Sequence, residues 1–191
     1  MDTTVRTNRV GSHEEEYFLK LEAERLEERR IEADRALAAS QLALALDRPN
    51  SEWMTRLVGL GITAENAAAF RVMPLVEVAW ADGAVDSAER TRLLQGARRL
   101  GLVPGAAAQN LLESWLEARP NRALIDAWHE LAAEDQQRGV SSDERWRLLQ
   151  DAEAVAGASG GLLGIAAVSA AERTTLAAIR SSLGGSAALD G

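Results

Sequence analysis

The sequence predicts an all-α protein, a bundle of about seven to nine helices with an extended N-terminal helix. Hydrophobic residues make up 47% of the 191 residues, which is enough for one buried core. Most of this apolar content is Ala and Leu, which favour helices, whereas aromatic residues are only 4% and β-branched residues are few. Helix start and stop signals also follow one another closely after residue 51. Together these observations favour an all-α fold.

Polarity and capping signals predict the domain boundaries. Ser12 is typical of an N-cap, and Glu14 to Glu16 follow where the helix dipole favours anions. The long helix is expected to end before Pro49, which cannot continue it. The predicted units are a flexible N-terminus, the long helix, a helical domain and a flexible tail, over residues 1–12, 13–48, 49–183 and 184–191.

Apolar residues of the long helix recur at alternating spacings of four and three, as in a coiled-coil seam. The seam positions are Leu19, Ala23, Leu26, Arg30, Ala33, Leu37, Ser40 and Leu44. Arg30 and Ser40 interrupt this seam. The first half of the helix is dominated by charge, whereas the second half, "ALAASQLALAL", is apolar nearly all round. We therefore expect the second half to pack on the core and the first half to project.

A projecting helix with an apolar seam is typical of a protein-binding element. Leu19, Leu26 and Leu37 are the predicted partner-binding residues. The partner is a second copy of the chain or another protein. A simpler interpretation is that the charged helix is only solvated, and the sequence leaves both interpretations open.

Shorter helices are predicted from caps and breakers along the rest of the chain. Ser51 and Thr63 are typical N-caps, and Gly61 and Gly101 are typical of helix ends. Pro74 suits either the first turn of a helix or a kink in one longer helix. The predicted short helices span 51–60, 64–73, 74–81, 87–100, 104–119, 121–138, 141–159 and 169–182.

Three of these helix starts share one pattern, in "VDSAE", "VSSDE" and "VSAAE", which begin at residues 85, 140 and 168. Each has Val, then a capping Asp or Ser, then Glu three residues later. This is a capping box preceded by an apolar residue, in which the cap and the Glu satisfy each other's backbone amides. Each box is expected to contribute about 1 kcal/mol.

The first box lies in an acidic stretch, "ADGAVDSAER", which holds Asp82, Asp86 and Glu89 within eight residues. Asp86 and Glu89 have a complete structural role as cap and counter-cap. Asp82 ends a helix, where a carboxylate opposes the helix dipole, so a hard cation bound with help from Glu77 would explain it. The spacing is not that of an EF-hand loop. Helix capping and a cation site both remain as interpretations.

Composition argues against several classes of function. The net charge of −8 repels phosphate backbones and anionic lipid, so nucleic-acid and membrane-surface roles are disfavoured. The absence of Cys excludes disulfides and thiol chemistry, and the chain begins without the pattern of a secretory signal. Residues 154–171 carry no charge, but their four Gly make a buried helix end and a loop the expectation, not an integral membrane segment.

Catalytic candidates are few, and we predict that the protein is not an enzyme. Hydrolase, zinc-peptidase and P-loop motifs are missing from the sequence. His13 and His129 are the two histidines, and a lone helical His is more often a packed or surface residue than a base. A pocket that holds His129 with Glu130 or Glu134 would indicate an enzyme. The five tryptophans fall one per helix and are predicted to belong to the core: Trp53, Trp80, Trp115, Trp128 and Trp146.

The stretch "PLVEVAWADGAVDSAERTRLL" resembles the signature of the tellurite-resistance TerB-like family, an apolar helix followed by an acidic capping turn and a Leu-rich helix. The likeness covers Val72 to Leu102 and extends loosely to Leu183, where "VSAAERTTLAAIRSSL" is a later copy of the motif. The later turns lack an Asp before Gly139 and Gly164, and the long N-terminal helix is outside the signature.

This resemblance implies an all-helical cytoplasmic domain linked to stress responses and to membrane-associated complexes. It also implies that Asp82, Asp86 and Glu89 face Ca²⁺ or another divalent cation. With the projecting helix, the sequence predicts a non-enzymatic helical interaction module that has one acidic turn. The alternative is a metal-handling stress-response protein in which the acidic turn is the active feature.

Overall fold

The computed structural model describes residues 4–49, 52–138, 142–158 and 168–184. All the secondary structure of these residues is helical, which confirms the predicted all-α bundle with an extended N-terminal helix. The nine helices of the described residues are α1 (Thr4–Ala45), α2 (Glu52–Gly59), α3 (Ala67–Arg71), α4 (Met73–Ala79), α5 (Ser87–Arg99), α6 (Ala107–Glu117), α7 (Arg122–Arg138), α8 (Ser142–Ala156) and α9 (Ala170–Ser182).

Helix α1 begins at Thr4, nine residues before the predicted start at residue 13, which follows the predicted N-cap Ser12. The expected flexible N-terminus is therefore helical from residue 4. Residues 4–12 contain no proline that would break a helix, so the capping preference of Ser12 alone does not fix the start. An N-cap at Ser12 would contribute about 1 kcal/mol. Each residue added to the N-terminal end of the helix adds one backbone hydrogen bond, which favours the longer helix.

The end of α1 matches the sequence prediction. The Arg48 amide donates to the Ala43 carbonyl at 2.8 Å, and the Asp47 amide donates to the Leu44 carbonyl at 3.2 Å. Asp47 lies in the left-handed region, with φ of 54°. This is the hydrogen-bond pattern of a Schellman motif, which satisfies the last carbonyls of a helix before a proline.

Helix α4 lies at the centre of the bundle. It contacts α3, α5, α7, α8 and α9, while α1 packs against α2, and α3 against α6. Six of the seven residues of α4 are buried, and Glu77 is its one partly exposed residue. A helix that is apolar nearly all round is typical of a central core element.

Two of the three predicted capping boxes are confirmed. Asp86 caps α5 with Glu89, and Ser169 caps α9 with Glu172. The preceding residues Val85 and Val168 are partly buried against the core, as expected of residues that staple a helix start. The third box begins with residues 140 and 141, which lie outside the described residues.

The tryptophans are not all in the core. Trp115 and Trp128 are buried, and Trp53 and Trp80 pack against the core while partly exposed. The prediction is wrong for Trp146, which is 59% exposed. Helix α8 places a different face in the core, formed by Leu149, Ala152, Val155 and Ala156.

A membrane-crossing helix is not found in the part of the chain that the structure describes, since each of its helices is too short or too polar. Within the uncharged segment, residues 154–156 are the last residues of α8, and residues 157–158 form the turn that follows it. Residues 159–167 of that segment lie outside the described ranges.

Candidate functional site

The projecting part of α1 carries six of the nine exposed large apolar side chains found among the described residues. All residues from 15 to 37 are exposed except the partly buried Leu21, and we call this segment the arm. The predicted partner-binding residues Leu19, Leu26 and Leu37 are each more than half exposed. Tyr17, Phe18 and Ile31 on the arm are also exposed.

The arm ends where α1 joins the bundle. Ala39, Leu42, Ala43 and Leu46 are buried in the core, and α2 supplies Met54 and Leu57 opposite this part of α1. The apolar residues of the arm therefore lie beyond the region that the bundle covers. Exposed leucines at heptad-like spacing are typical of a surface that packs against another helix.

Charge is distributed unevenly along the arm. Residues 15–24 hold four Glu and one Lys, whereas residues 25–35 hold four Arg and four carboxylates. The first part is therefore acidic and the second part is balanced. Since like charges repel and opposite charges attract across a helix pair, this asymmetry constrains how two arms can align.

The acidic turn is a hydrogen-bonded cap. The Asp86 Oδ1 accepts from the Ala88 amide at 2.7 Å and from the Glu89 amide at 2.8 Å, and the Glu89 Oε2 accepts from the Asp86 amide at 2.8 Å. The Asp82 Oδ1 accepts from the Ala84 amide at 3.2 Å, next to Gly83 at φ 100°. All three predicted metal-ligating residues therefore stabilise the local backbone.

Glu89 is the unusual carboxyl of this turn. It is 1% exposed, and its Oε1 has no hydrogen-bond partner among the described residues. Burial and, to a smaller extent, the negative charges of Asp86, Asp82 and Glu172 together raise the pKa of Glu89 to about 7, although the hydrogen bond from the Asp86 amide lowers it. A carboxyl with such a pKa changes its protonation near neutral pH.

The described ranges contain no group of three or more His, Cys, Asp or Glu residues placed to hold a metal ion. Glu77, which the sequence suggested as a further ligand, binds His129 instead. Cation binding at Asp82, Asp86 and Glu89 therefore stays a prediction.

His129 links three helices. Its Nε2 lies 2.8 Å from the Glu77 Oε2 on α4, and its Nδ1 lies 2.7 Å from the Ser182 Oγ at the end of α9. Because a carboxylate only accepts hydrogen bonds, Nε2 donates to Glu77. Sequence reasoning missed both partners, since they lie more than 50 positions away along the chain. The network gives His129 a role in tying α7 to α4 and α9.

A cleft of about 660 Å³ lies elsewhere on the bundle. Its lining includes Trp128 but not His129, and Glu130 lies 3.3 Å from Arg56 instead. The pocket that would indicate an enzyme, with His129 and Glu130 or Glu134, is therefore not this cleft. The arginines that line it are Arg48, Arg71, Arg99, Arg138, Arg145 and Arg147. This cluster could not be recognised in the sequence, because its members come from five separate segments of the chain.

Comparison of the chain with protein-family models, with curated proteins and with solved structures gives no match. The resemblance to the TerB-like family therefore stays a prediction that rests on the stretch from Val72 to Leu102.

Proposed function

We propose that the protein is a non-enzymatic interaction module that binds a second helix through the apolar seam of its arm. The observation that carries this proposal is the exposure of Leu19, Leu26 and Leu37 on one continuous helix. A solvated charged helix needs no such row of leucines, whereas burying each of them against a partner would contribute about 1.5–3 kcal/mol. The arm is long enough for this purpose, since its 23 residues span about 34 Å.

The occupant that the charges favour is the arm of a second copy, in antiparallel orientation. A parallel pair would place the acidic residues 15–24 of one arm beside the same residues of the other. An antiparallel pair places them beside the balanced segment 25–35, with its four Arg. Such a pair has two-fold symmetry, so it closes as a dimer and leaves both bundles free at opposite ends.

The oligomeric state of the full chain tests this proposal. We expect a concentration-dependent dimer in sedimentation equilibrium, and we expect Leu26→Asp to shift the chain to monomer. Ile31→Asp is the matched control, since Ile31 is exposed on the same arm but lies off the seam. A wild-type chain that stays monomeric at all concentrations, or equal effects of both substitutions, would contradict self-association through the seam.

Orientation needs a separate experiment. The chain contains no Cys, so single-cysteine variants Leu19→Cys and Leu37→Cys report only on the introduced thiols. In an antiparallel dimer, a mixture of the two variants forms mixed disulfides more readily than either variant forms its own. Disulfides within each separate variant, and few in the mixture, would indicate a parallel pair.

The alternative function is metal handling in a stress response, at the acidic turn. Its support is the unpaired and buried Oε1 of Glu89, with Asp82 and Asp86 near enough to affect its pKa. Calorimetric titration with Ca²⁺, Mg²⁺ and Zn²⁺ tests this alternative, with Asp82→Asn as the variant. Saturable heat that this substitution abolishes would favour metal handling, and no heat with any ion would reject it.

The cytoplasmic location that the family resemblance implies belongs to the same proposal. It rests on the resemblance of Val72 to Leu102 to that family. Fractionation of cells that express the full chain would test it, and recovery with the membrane pellet after a salt wash would contradict it.

A further inference from the structure

The arginine-lined cleft combines an apolar floor with a charged rim. It lies between the end of α1, the junction of α3 and α4, the end of α5, helix α7 and the start of α8. The apolar lining includes Phe70, Trp128, Leu131, Leu148 and Leu183. Its volume of about 660 Å³ falls in the range of small-molecule sites.

The charge of the cleft is opposite to that of the whole chain. Six arginines line it against three carboxylates, Asp47, Asp135 and Glu144, although the chain carries a net charge of −8. A cluster of positive charge in an otherwise acidic protein attracts small anions locally, while the surrounding negative field disfavours long polyanions such as nucleic acid.

Two of the arginines are already neutralised by ion pairs. Arg48 is paired with Asp135 and also donates to the Leu131 carbonyl at 3.3 Å, and Arg99 is paired with Asp151. These pairs have a structural role, because the buried Arg48 guanidinium and the buried Asp151 carboxylate would each be costly without a partner. They do not account for the positive charge of the cleft.

The remaining arginines have fewer partners. Arg138 and Arg147 form no ion pair with any described residue, and both are exposed at the rim. Arg145 donates to the Leu183 carbonyl at 3.3 Å, but its buried Nε has no acceptor among the described side chains and carbonyls. The rim of the cleft therefore holds guanidinium groups that can still bind an anion.

We propose that this cleft binds an amphiphilic organic anion. A single carboxylate or phosphate group of the ligand contacts Arg138, Arg145 and Arg147, which present planar donors suited to such groups. The apolar body of the ligand lies on the floor, against Phe70, Trp128 and Leu131. Inorganic phosphate has no apolar body for the floor, and an alcohol has no charge for the arginines of the rim. Neither is therefore expected to bind as tightly as an amphiphilic anion. This site is separate from the arm and does not depend on the proposed dimer.

Isothermal titration calorimetry of the full chain with decanoate and decyl phosphate tests the proposal. We expect one ligand per chain, with weaker binding for acetate and octanoate, since each buried methylene changes the affinity by about fourfold. Inorganic phosphate and decanol test the two parts of the ligand separately and are expected to bind much more weakly. The relative affinities of decanoate and decyl phosphate then identify whether the cleft prefers a carboxylate or a phosphate.

Substitutions locate the binding site. Arg138→Gln and Arg147→Gln are each expected to weaken the binding of the preferred anion by about tenfold or more, as each removes a charge-assisted hydrogen bond. Arg92→Gln is the matched control, because Arg92 is an exposed arginine of α5 outside the cleft. Circular dichroism confirms that each variant is folded.

Three results would overturn the proposal. These are no saturable heat with either decyl anion, decanol binding as tightly as decanoate, or an equal loss of affinity in Arg92→Gln and in the cleft variants. The last result would indicate a general effect of net charge instead of a site.

Discussion

The arm and the segment that follows it on the same helix differ in what surrounds them. Residues 15–37 are exposed, whereas Ala39, Leu42, Ala43 and Leu46 are buried against the bundle. Both parts carry leucines at helical spacing. A periodic apolar pattern therefore predicts a helix face that packs against another element, but it does not predict whether that element belongs to the same chain.

The residues between the leucines explain the difference. The buried segment has alanines at its contact positions, which let α1 approach α2 closely without burying charge. The arm has Glu and Arg between its leucines, and these would lose solvation inside a bundle. A partner helix covers only a narrow stripe and leaves such charges in water.

The largest expected effect comes from two leucines that lie two positions apart. Leu42 is 0% exposed and Leu44 is 82% exposed. We expect Leu42→Ala to lower the free energy of unfolding by about 2–5 kcal/mol, because it leaves a cavity in the core. Leu44→Ala is expected to change it by less than about 0.5 kcal/mol. Urea unfolding, at a concentration where the chain is monomeric, measures both, and similar losses would contradict the assignment of one buried and one exposed face to this segment.

The pH dependence of stability should come from the bundle through Glu89. Its pKa in the folded chain is about 7, above the ordinary value of 4.5, so the folded state holds this proton more tightly than the unfolded state. The stability that Glu89 contributes is therefore present at low pH and is lost as the pH rises from about 4.5 to about 7.

Glu89→Gln should remove this dependence while keeping an acceptor for the Asp86 amide. Urea midpoints measured from pH 5 to pH 8 on wild type and variant test this expectation. Glu24→Gln, which removes an exposed carboxylate of the arm, is the control for the loss of one charge. An unchanged pH profile in Glu89→Gln would show that another group titrates.

A smaller effect is expected from the helix caps. Asp86 accepts two amides at the start of α5, so Asp86→Ala should lower the free energy of unfolding by about 1 kcal/mol. Ser12→Ala is the comparison in α1, where the helix already begins at Thr4, and it should leave the helical signal in circular dichroism unchanged. Urea unfolding measures the effect of Asp86→Ala, whereas circular dichroism measures that of Ser12→Ala, because the arm is exposed and its fraying does not change the stability of the bundle. A loss of helical signal in Ser12→Ala would place the N-cap of α1 at Ser12, as the sequence predicts.

The smallest effect on the bundle is expected from breaking the arm. Proline in a helix interior costs about 3 kcal/mol locally, so Ala33→Pro should lower the helical signal in circular dichroism. Because the arm packs on no core residue, the urea midpoint of the bundle should not move. A lower midpoint would mean that the arm supports the bundle, and its exposure would need another explanation.

Much of the fold could be predicted because its signals are local. The boxes at Asp86 and Ser169 use residues three positions apart, and the stop after α1 uses a proline. The exposed seam at Leu19, Leu26 and Leu37 was also predicted from spacing alone. The exposure of Trp146 was not, because a large apolar residue on a helix indicates burial only if a neighbour covers that face.

Some candidate sites could likewise be recognised in the sequence, whereas others depend on contacts between distant segments. The acidic turn could be found in the sequence, since its three carboxylates lie within eight residues. The partners of His129 could not, because Glu77 and Ser182 reach it from α4 and α9. The arginine cleft could not be found either, because single arginines in separate segments resemble solvated surface residues until folding brings them together.

The sequence by itself determined the helical class, the capped starts of α5 and α9, and a long N-terminal helix with an apolar stripe. These features depend on hydrogen bonds and side-chain spacings within a few residues, which a sequence states directly. Only the tertiary structure decided which part of α1 is buried, that the Glu89 carboxyl is buried, and that six arginines line one cleft with an apolar floor. These features depend on which distant segments become neighbours, because burial and local charge arise from all the elements that surround a site.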